Sequence, residues 1–311
     1  MRSVMDTFLN NEPGERVALV PLMEPLAARV GGMSYQAMSG DPGQWSANLA
    51  KVGQLLEADA LVLGFDHTLL AEACGVQVQW REGRPLVAAT GVLRPAADVL
   101  TGRLAVVLET LDRLCQTVRN DFCCVAAMSG PFTLAADLGL SAGEVGELKP
   151  VMVEIARALC DKRPDLLLLR EGPAICEGDI GMTQRKAFNT LCNVARYFNI
   201  PTALYVEGYT RNTLAGIDKL KMDFYFFGEA AEGALPEPGW FLPLAERVRG
   251  IGVALPFDNE SEAMKLAEDC SKILAGRNVL FTSAGELAHD TDLDVARKIT
   301  VGLKSLCWRS Q

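Results

Sequence analysis

Short, continuously apolar runs recur along this chain, and they stop on carboxylates. Leu61-Val62-Leu63-Gly64-Phe65 stops at Asp66, and Leu166-Leu167-Leu168-Leu169 stops at Arg170-Glu171. Ala203-Leu204-Tyr205-Val206 stops at Glu207, and Phe224-Tyr225-Phe226-Phe227 stops at Gly228-Glu229. Runs this short, with no polar alternation, read as strands buried on both faces, hence as a parallel sheet covered by helices. Eight strands are predicted, over 17–23, 60–65, 122–128, 165–169, 202–206, 223–227, 251–257 and 279–283. Between them, apolar positions recur at helical spacing over 45–57, 104–118, 151–160, 182–198, 212–220, 243–248, 260–274 and 293–306.

Alternating strands and helices build parallel βα units. Eight such units in 311 residues predict one α/β domain over 1–311, a closed (β/α)8 TIM barrel. An open doubly wound sheet is the rival arrangement. One segment breaks the rhythm: 76–80 and 85–89 alternate with period two around Arg81-Glu82-Gly83-Arg84. It predicts a β-hairpin inserted after strand two, roofing part of the barrel mouth. The Pro- and Gly-containing stretch 232–239 reads as a loop stiffened by its prolines.

In a barrel the carboxyl ends of the strands converge on one mouth, where chemistry collects. With Glu24 just past strand one and Asp258 just past strand seven, six of the eight strands end in or beside an acid. Gathered carboxylates must share a proton, bind a metal or meet a cation. The bland alternative for any one of them is capping of the next helix. His67, Glu171, Glu207 and Cys176 form a conceivable zinc site, although no H-E-x-x-H or C-x-x-C spacing occurs. G-x-S-x-G is absent, and Val30-Gly31-Gly32-Met33 matches no phosphate loop.

Composition narrows the classes. Net charge is −9, without a Lys- or Arg-rich stretch, which argues against nucleic-acid or anionic-membrane partners. Nine scattered cysteines, Cys307 the last of them, read as reduced thiols of a cytoplasmic protein. Neither a secretory h-region nor an apolar run of membrane-spanning length is present.

Four stretches resemble the uroporphyrinogen decarboxylase superfamily, which includes corrinoid-dependent methyltransferases. They are Val20-Pro21-Leu22-Met23-Glu24-Pro25-Leu26-Ala27-Ala28-Arg29-Val30-Gly31-Gly32; Gly64-Phe65-Asp66-His67-Thr68-Leu69-Leu70-Ala71-Glu72-Ala73-Cys74-Gly75; Ser129-Gly130-Pro131-Phe132-Thr133-Leu134-Ala135; and Leu280-Phe281-Thr282-Ser283-Ala284-Gly285-Glu286, before Asp290-Thr291-Asp292. The third, similar to a G-P-F-T-L-A signature, is the most specific. The resemblance is closer to the methyltransferase branch, because the decarboxylase M-R-Q-A-G-R motif is replaced and only Arg29 stands in for an arginine. The zinc-dependent members' H-x-C and last-strand cysteine are replaced by Tyr205-Val206-Glu207 and Ala284-Gly285.

The resemblance implies a methyltransferase that moves a methyl group from a small donor, an O-methyl ether for example, to a corrinoid protein. Asp66, Glu171 and Glu207 are the expected catalytic residues. Glu171, Glu207 and His67 would hold a zinc ion, and Glu24, Arg29, His67 and Glu229 would line the substrate pocket. The hairpin would face the corrinoid partner, and a homodimer is implied. Two alternatives stay open: a tetrapyrrole decarboxylase acting through Asp66, and a barrel that only binds.

Overall fold

The computed structural model describes residues 2–89, 91, 93–235, 237–306 and 308; Cys307 and Pro236 lie outside them. Eight strands form one parallel sheet: β1 (Ala18–Leu22), β2 (Ala60–Leu63), β5 (Cys123–Ser129), β6 (Leu166–Glu171), β7 (Thr202–Val206), β8 (Phe224–Phe227), β9 (Ile251–Leu255) and β10 (Val279–Glu286). The intervening β3 (Gln77–Arg81) and β4 (Arg84–Ala89) form the expected antiparallel hairpin, turned by Glu82 and Gly83 with φ of 51° and 77°. Both turn residues are left-handed, as a two-residue hairpin turn requires. Among the described residues no helix is long and apolar enough to cross a membrane.

The sheet runs β1-β10-β9-β8-β7-β6-β5-β2, an α/β TIM barrel closed everywhere but at one seam. Asp59 bridges that seam. Its N–H donates to the Leu19 carbonyl at 2.8 Å, and its Oδ2 accepts the Leu19 N–H at 2.8 Å. Arg16 clamps the same buried carboxylate at 2.6 and 2.7 Å. Asp59→Asn keeps the shape and removes the charge. It is expected to cost about 1–3 kcal/mol in urea denaturation; an unchanged midpoint would show that the seam closes without this pair.

Strand parity divides the core into two layers. Leu166, Leu168, Ala203, Tyr205, Phe224, Phe226 and Leu280 fill the barrel interior. Leu167, Leu169, Leu204, Val206, Phe227 and Phe281 pack outward under the helices. A helix that hydrophobic patterning did not flag, Arg2–Asn10, plugs the amino-terminal end. Its Met5 and Phe8 join the interior cluster, Phe8 lying 4.9 Å from the Phe224 ring.

Candidate active site

The mouth is built from the chain that follows each strand. Helix Glu24–Val30 starts immediately beyond β1, with Glu24 in its first turn. The Glu24 side chain is fully buried and accepts the N–H groups of Gly64 and Phe65 at 3.1 and 2.9 Å. Gly64 adopts φ of +85°, a conformation open to glycine, which turns its N–H toward Glu24. Next in sequence, Asp66 accepts the N–H and hydroxyl of Thr68 at 2.8 Å each, at the start of helix Thr68–Ala73. Arg103, on helix Gly102–Thr117, donates to Asp66 at 2.6 Å and to Thr68 Oγ1 at 2.8 Å. The same guanidinium lies 5.2 Å from the ring of Trp80 in β3, so one arginine joins the hairpin to the mouth.

Parity decides what β6 contributes. Arg170 shares the inward parity of Leu166 and Leu168, whereas Glu171 follows Leu167 and Leu169 outward. Glu171 is buried against helix Pro131–Asp137, where it accepts the N–H groups of Phe132 and Thr133 and the Thr133 hydroxyl at 3.0, 2.7 and 2.7 Å. Gly130 makes room for it, since a Cβ there would sit 2.3 Å from the carboxyl carbon. Burial pushes the Glu171 pKa up to about 7, against the pull of those donated hydrogen bonds.

Arg170 turns into the mouth. It donates to Glu207 at 2.9 Å and to the Phe65 carbonyl at 3.2 Å, and lies 4.6 Å over the Phe65 ring. Phe65 meets the Tyr205 ring edge-on at 4.9 Å. Tyr205 in turn donates to the carbonyls of Ser283 and Ala284. His67 points away from this group, its Nδ1 lying 3.1 Å from Asp137, and is partly exposed.

The residue that sequence reasoning missed is Glu286. It ends β10 and pairs in register with Leu22 of β1, two residues before Glu24. Its Oε1 is sealed from solvent and has no hydrogen-bond partner. Burial raises its pKa to about 7; Arg170 pulls against the shift, while Asp66 and Glu207 add to it. Burial, then Glu286, likewise holds Glu24 well above the carboxylate range. A second orphan is the Tyr35 hydroxyl, buried and unpartnered, with Glu24, Asp66 and Glu286 all acting on it. The Tyr35 ring packs edge-on against Trp45 and Trp80.

The structure therefore gathers Glu24, Asp66 and Glu207 around Glu286 and sends other expected residues elsewhere. Arg29 is exposed, and its guanidinium donates to the His289 and Thr291 carbonyls at 3.3 and 2.6 Å, holding a loop. Glu229 continues the outward parity of Phe227 and is exposed. The expected Glu171, Glu207 and His67 ligand set is not assembled: one carboxylate is spent on a helix, one on Arg170, and the histidine on Asp137. Burial also keeps the Cys176 thiol protonated, with its pKa up to about 11. Among the described residues no three His, Cys, Asp or Glu side chains are grouped to hold a metal ion. These residues do not fit a zinc centre, which needs three or four deprotonated ligands on one point.

Residues 5–158 match the family model "Uroporphyrinogen decarboxylase (URO-D)". That stretch, just under half of the chain, is similar to the uroporphyrinogen decarboxylase family. A comparison with curated protein sequences gives no match. Among solved structures, the chain is similar to a methyltransferase from Methanosarcina mazei, with a TM-score of 0.80, 17% identity and 97% of each chain covered. A B12-independent methionine synthase from Shewanella sp. W3-18-1, solved with selenomethionine, gives a TM-score of 0.54 at 15% identity, covering 94% of this chain and 95% of its own. The homocysteine methyltransferase MmuM from Escherichia coli gives 0.52 at 10% identity, covering 93% and 96%. At these identities the likeness is one of fold. Within that fold, this chain has a mouth built from carboxylates and two arginines.

Proposed function

We propose that this chain is a methyltransferase that moves a methyl group from a small donor, an O-methyl ether, to the corrinoid of a partner protein. The observation that carries the reading is Glu286, a half-buried residue with one sealed, unpartnered carboxyl oxygen at the mouth of a barrel whose structural relatives include methyltransferases. Breaking a methyl–oxygen bond leaves the electron pair on oxygen, and the resulting alkoxide or phenolate needs a proton. Glu286, with a pKa of about 7, supplies that proton as the bond breaks and regains one from water afterwards. The nearby Arg170 cation stabilises the carboxylate formed in between. The bound corrinoid supplies the nucleophile that accepts the methyl group. No step runs through zinc.

Asp66 no longer suits the decarboxylase role, because Thr68 and Arg103 already occupy its carboxylate. The hairpin, with Leu86 exposed, is the proposed face for the corrinoid partner. The test is to mix the purified chain with a reduced corrinoid protein and an aryl methyl ether. Methylation followed by corrinoid absorbance, together with release of the phenol, is the expected result. Conversion of uroporphyrinogen without any methyl transfer would replace this reading with the decarboxylase one.

A further inference from the structure

Strand parity sends Cys124 of β5 outward into the layer beneath the helices, while its neighbour Cys123 faces the barrel interior. Helix Gly102–Thr117 packs over that layer and brings Cys115, in its last turn, onto the same spot. The buried Cys124 thiol donates to the half-buried Cys115 sulfur, which lies 3.8 Å from the Arg163 carbonyl oxygen. Arg119, one turn further along the chain, donates to that carbonyl and to the Cys115 sulfur. Asp165 completes the surroundings: it accepts the Cys124 N–H at 2.8 Å and lies 3.7 Å from the Arg119 guanidinium. Cys124 is the second residue of β5, so this group sits toward the end of the barrel opposite the mouth.

The two thiols differ chemically. The hydrogen bond from Cys124 lowers the pKa of Cys115 below the ordinary thiol value; burial opposes the shift, and the Arg119 cation adds to it. Cys124, which gives that hydrogen bond from a buried position, is held above the ordinary value. Burial pushes Cys74, Cys160 and Cys270 up to about 12. A partly open sulfur that favours its thiolate, in contact with a second thiol, is the arrangement of an attacking and a resolving cysteine.

We propose that Cys115 and Cys124 are a redox modification site, closing a reversible disulfide between helix Gly102–Thr117 and β5. The co-reactant is a low-molecular-weight disulfide. The Cys115 thiolate attacks one of its sulfurs; the S–S bond breaks, a mixed disulfide forms, and the first small thiolate departs with the electron pair. Cys124 then attacks the Cys115 sulfur, and its proton passes to the second departing thiolate. Two protein thiols are oxidised by two electrons, and one small disulfide is reduced to two thiols. The new bond would fix the last turn of the helix whose first turn carries Arg103 to the mouth. None of this depends on the chemistry at Glu286.

Peptide mapping of the full chain is the test. The protein is equilibrated at neutral pH in glutathione buffers from fully reduced to fully oxidised, quenched with iodoacetamide and mapped without reduction. A Cys115–Cys124 crosslink within one chain is the expected oxidised product, and dithiothreitol should release it. Cys124→Ser should stop at a Cys115–glutathione adduct, and Cys115→Ser should leave Cys124 unmodified. In the reduced parent, iodoacetamide should alkylate Cys115 at least about tenfold faster than Cys74, Cys160 or Cys270. Cys115 found as a free thiol or a lasting glutathione adduct in the fully oxidised parent would overturn the proposal. So would a crosslink to Cys123 in place of Cys124, or alkylation of Cys115 no faster than that of the three buried thiols.

Discussion

Glu286→Gln is expected to slow methyl transfer by about 10²–10⁴-fold while leaving the protein folded. The amide keeps the volume and one carbonyl acceptor but has no acidic proton to give a departing oxygen. Folding should survive because the parent Oε1 has no hydrogen-bond partner to lose. The parent's pH dependence carries the same signature. Burial lifts the Glu286 pKa from the ordinary 4.5 to about 7, so its acid form predominates below neutrality. The transfer rate should therefore fall about tenfold per pH unit above 7, and the variant should lack that limb. Stability follows the same proton. A folded pKa above the unfolded one means a contribution fully present below pH 4.5 and lost as pH rises through about 7. The loss amounts to about 3 kcal/mol across that window. Denaturation at pH 5 and pH 8 should show the difference in the parent and a smaller one in Glu286→Gln. Full activity in the variant would remove Glu286 from the chemistry.

How much of this was legible in the sequence follows from strand parity. The eight barrel strands are continuous apolar runs, so their existence needed no tertiary information. The carboxylates at six of the eight strand ends were legible too, but not the direction in which each side chain points. Leu166 and Leu168 face inward, so Arg170 belongs to the mouth and Glu171 to the helix layer. Ala203 and Tyr205 face inward, and Glu207 follows them. Applied to β6, period two alone would have exchanged Glu171 for Arg170.

Glu286 escaped for a different reason. The strand runs to Glu286, three residues beyond Ser283, but Ser283-Ala284-Gly285 is small and partly polar and reads as a strand end. Short helices were lost similarly. Glu24–Val30 and Thr68–Ala73 span seven and six residues, too few for a helical period to stand out. Tyr35 and Arg103 reach the mouth from elements whose sequences carry no sign of it. Such partnerships arise only when the barrel closes.

The Arg103 partnership should also be the one whose loss costs the fold most. Arg103→Ala is expected to destabilise the chain by about 3–5 kcal/mol, because it leaves a buried carboxylate without its counter-charge. Asp66 is 3% exposed and the Arg103 side chain 11%, so water cannot readily replace the guanidinium. Thr68 would still donate to Asp66, but a neutral hydroxyl and one N–H do not offset a full charge in that setting. The melting temperature should drop by roughly 10 °C. The damage should extend to the hairpin, since Trp80 loses the cation it packs against, so amide exchange over β3 and β4 should accelerate. Pairing the change with Asp66→Asn distinguishes charge from packing. If the stranded carboxylate is the cause, Arg103→Ala/Asp66→Asn should recover much of the stability while the hairpin stays loose. If the double variant is no more stable than Arg103→Ala, the arginine acts through packing, and Asp66 tolerates burial on its hydrogen bonds to Thr68.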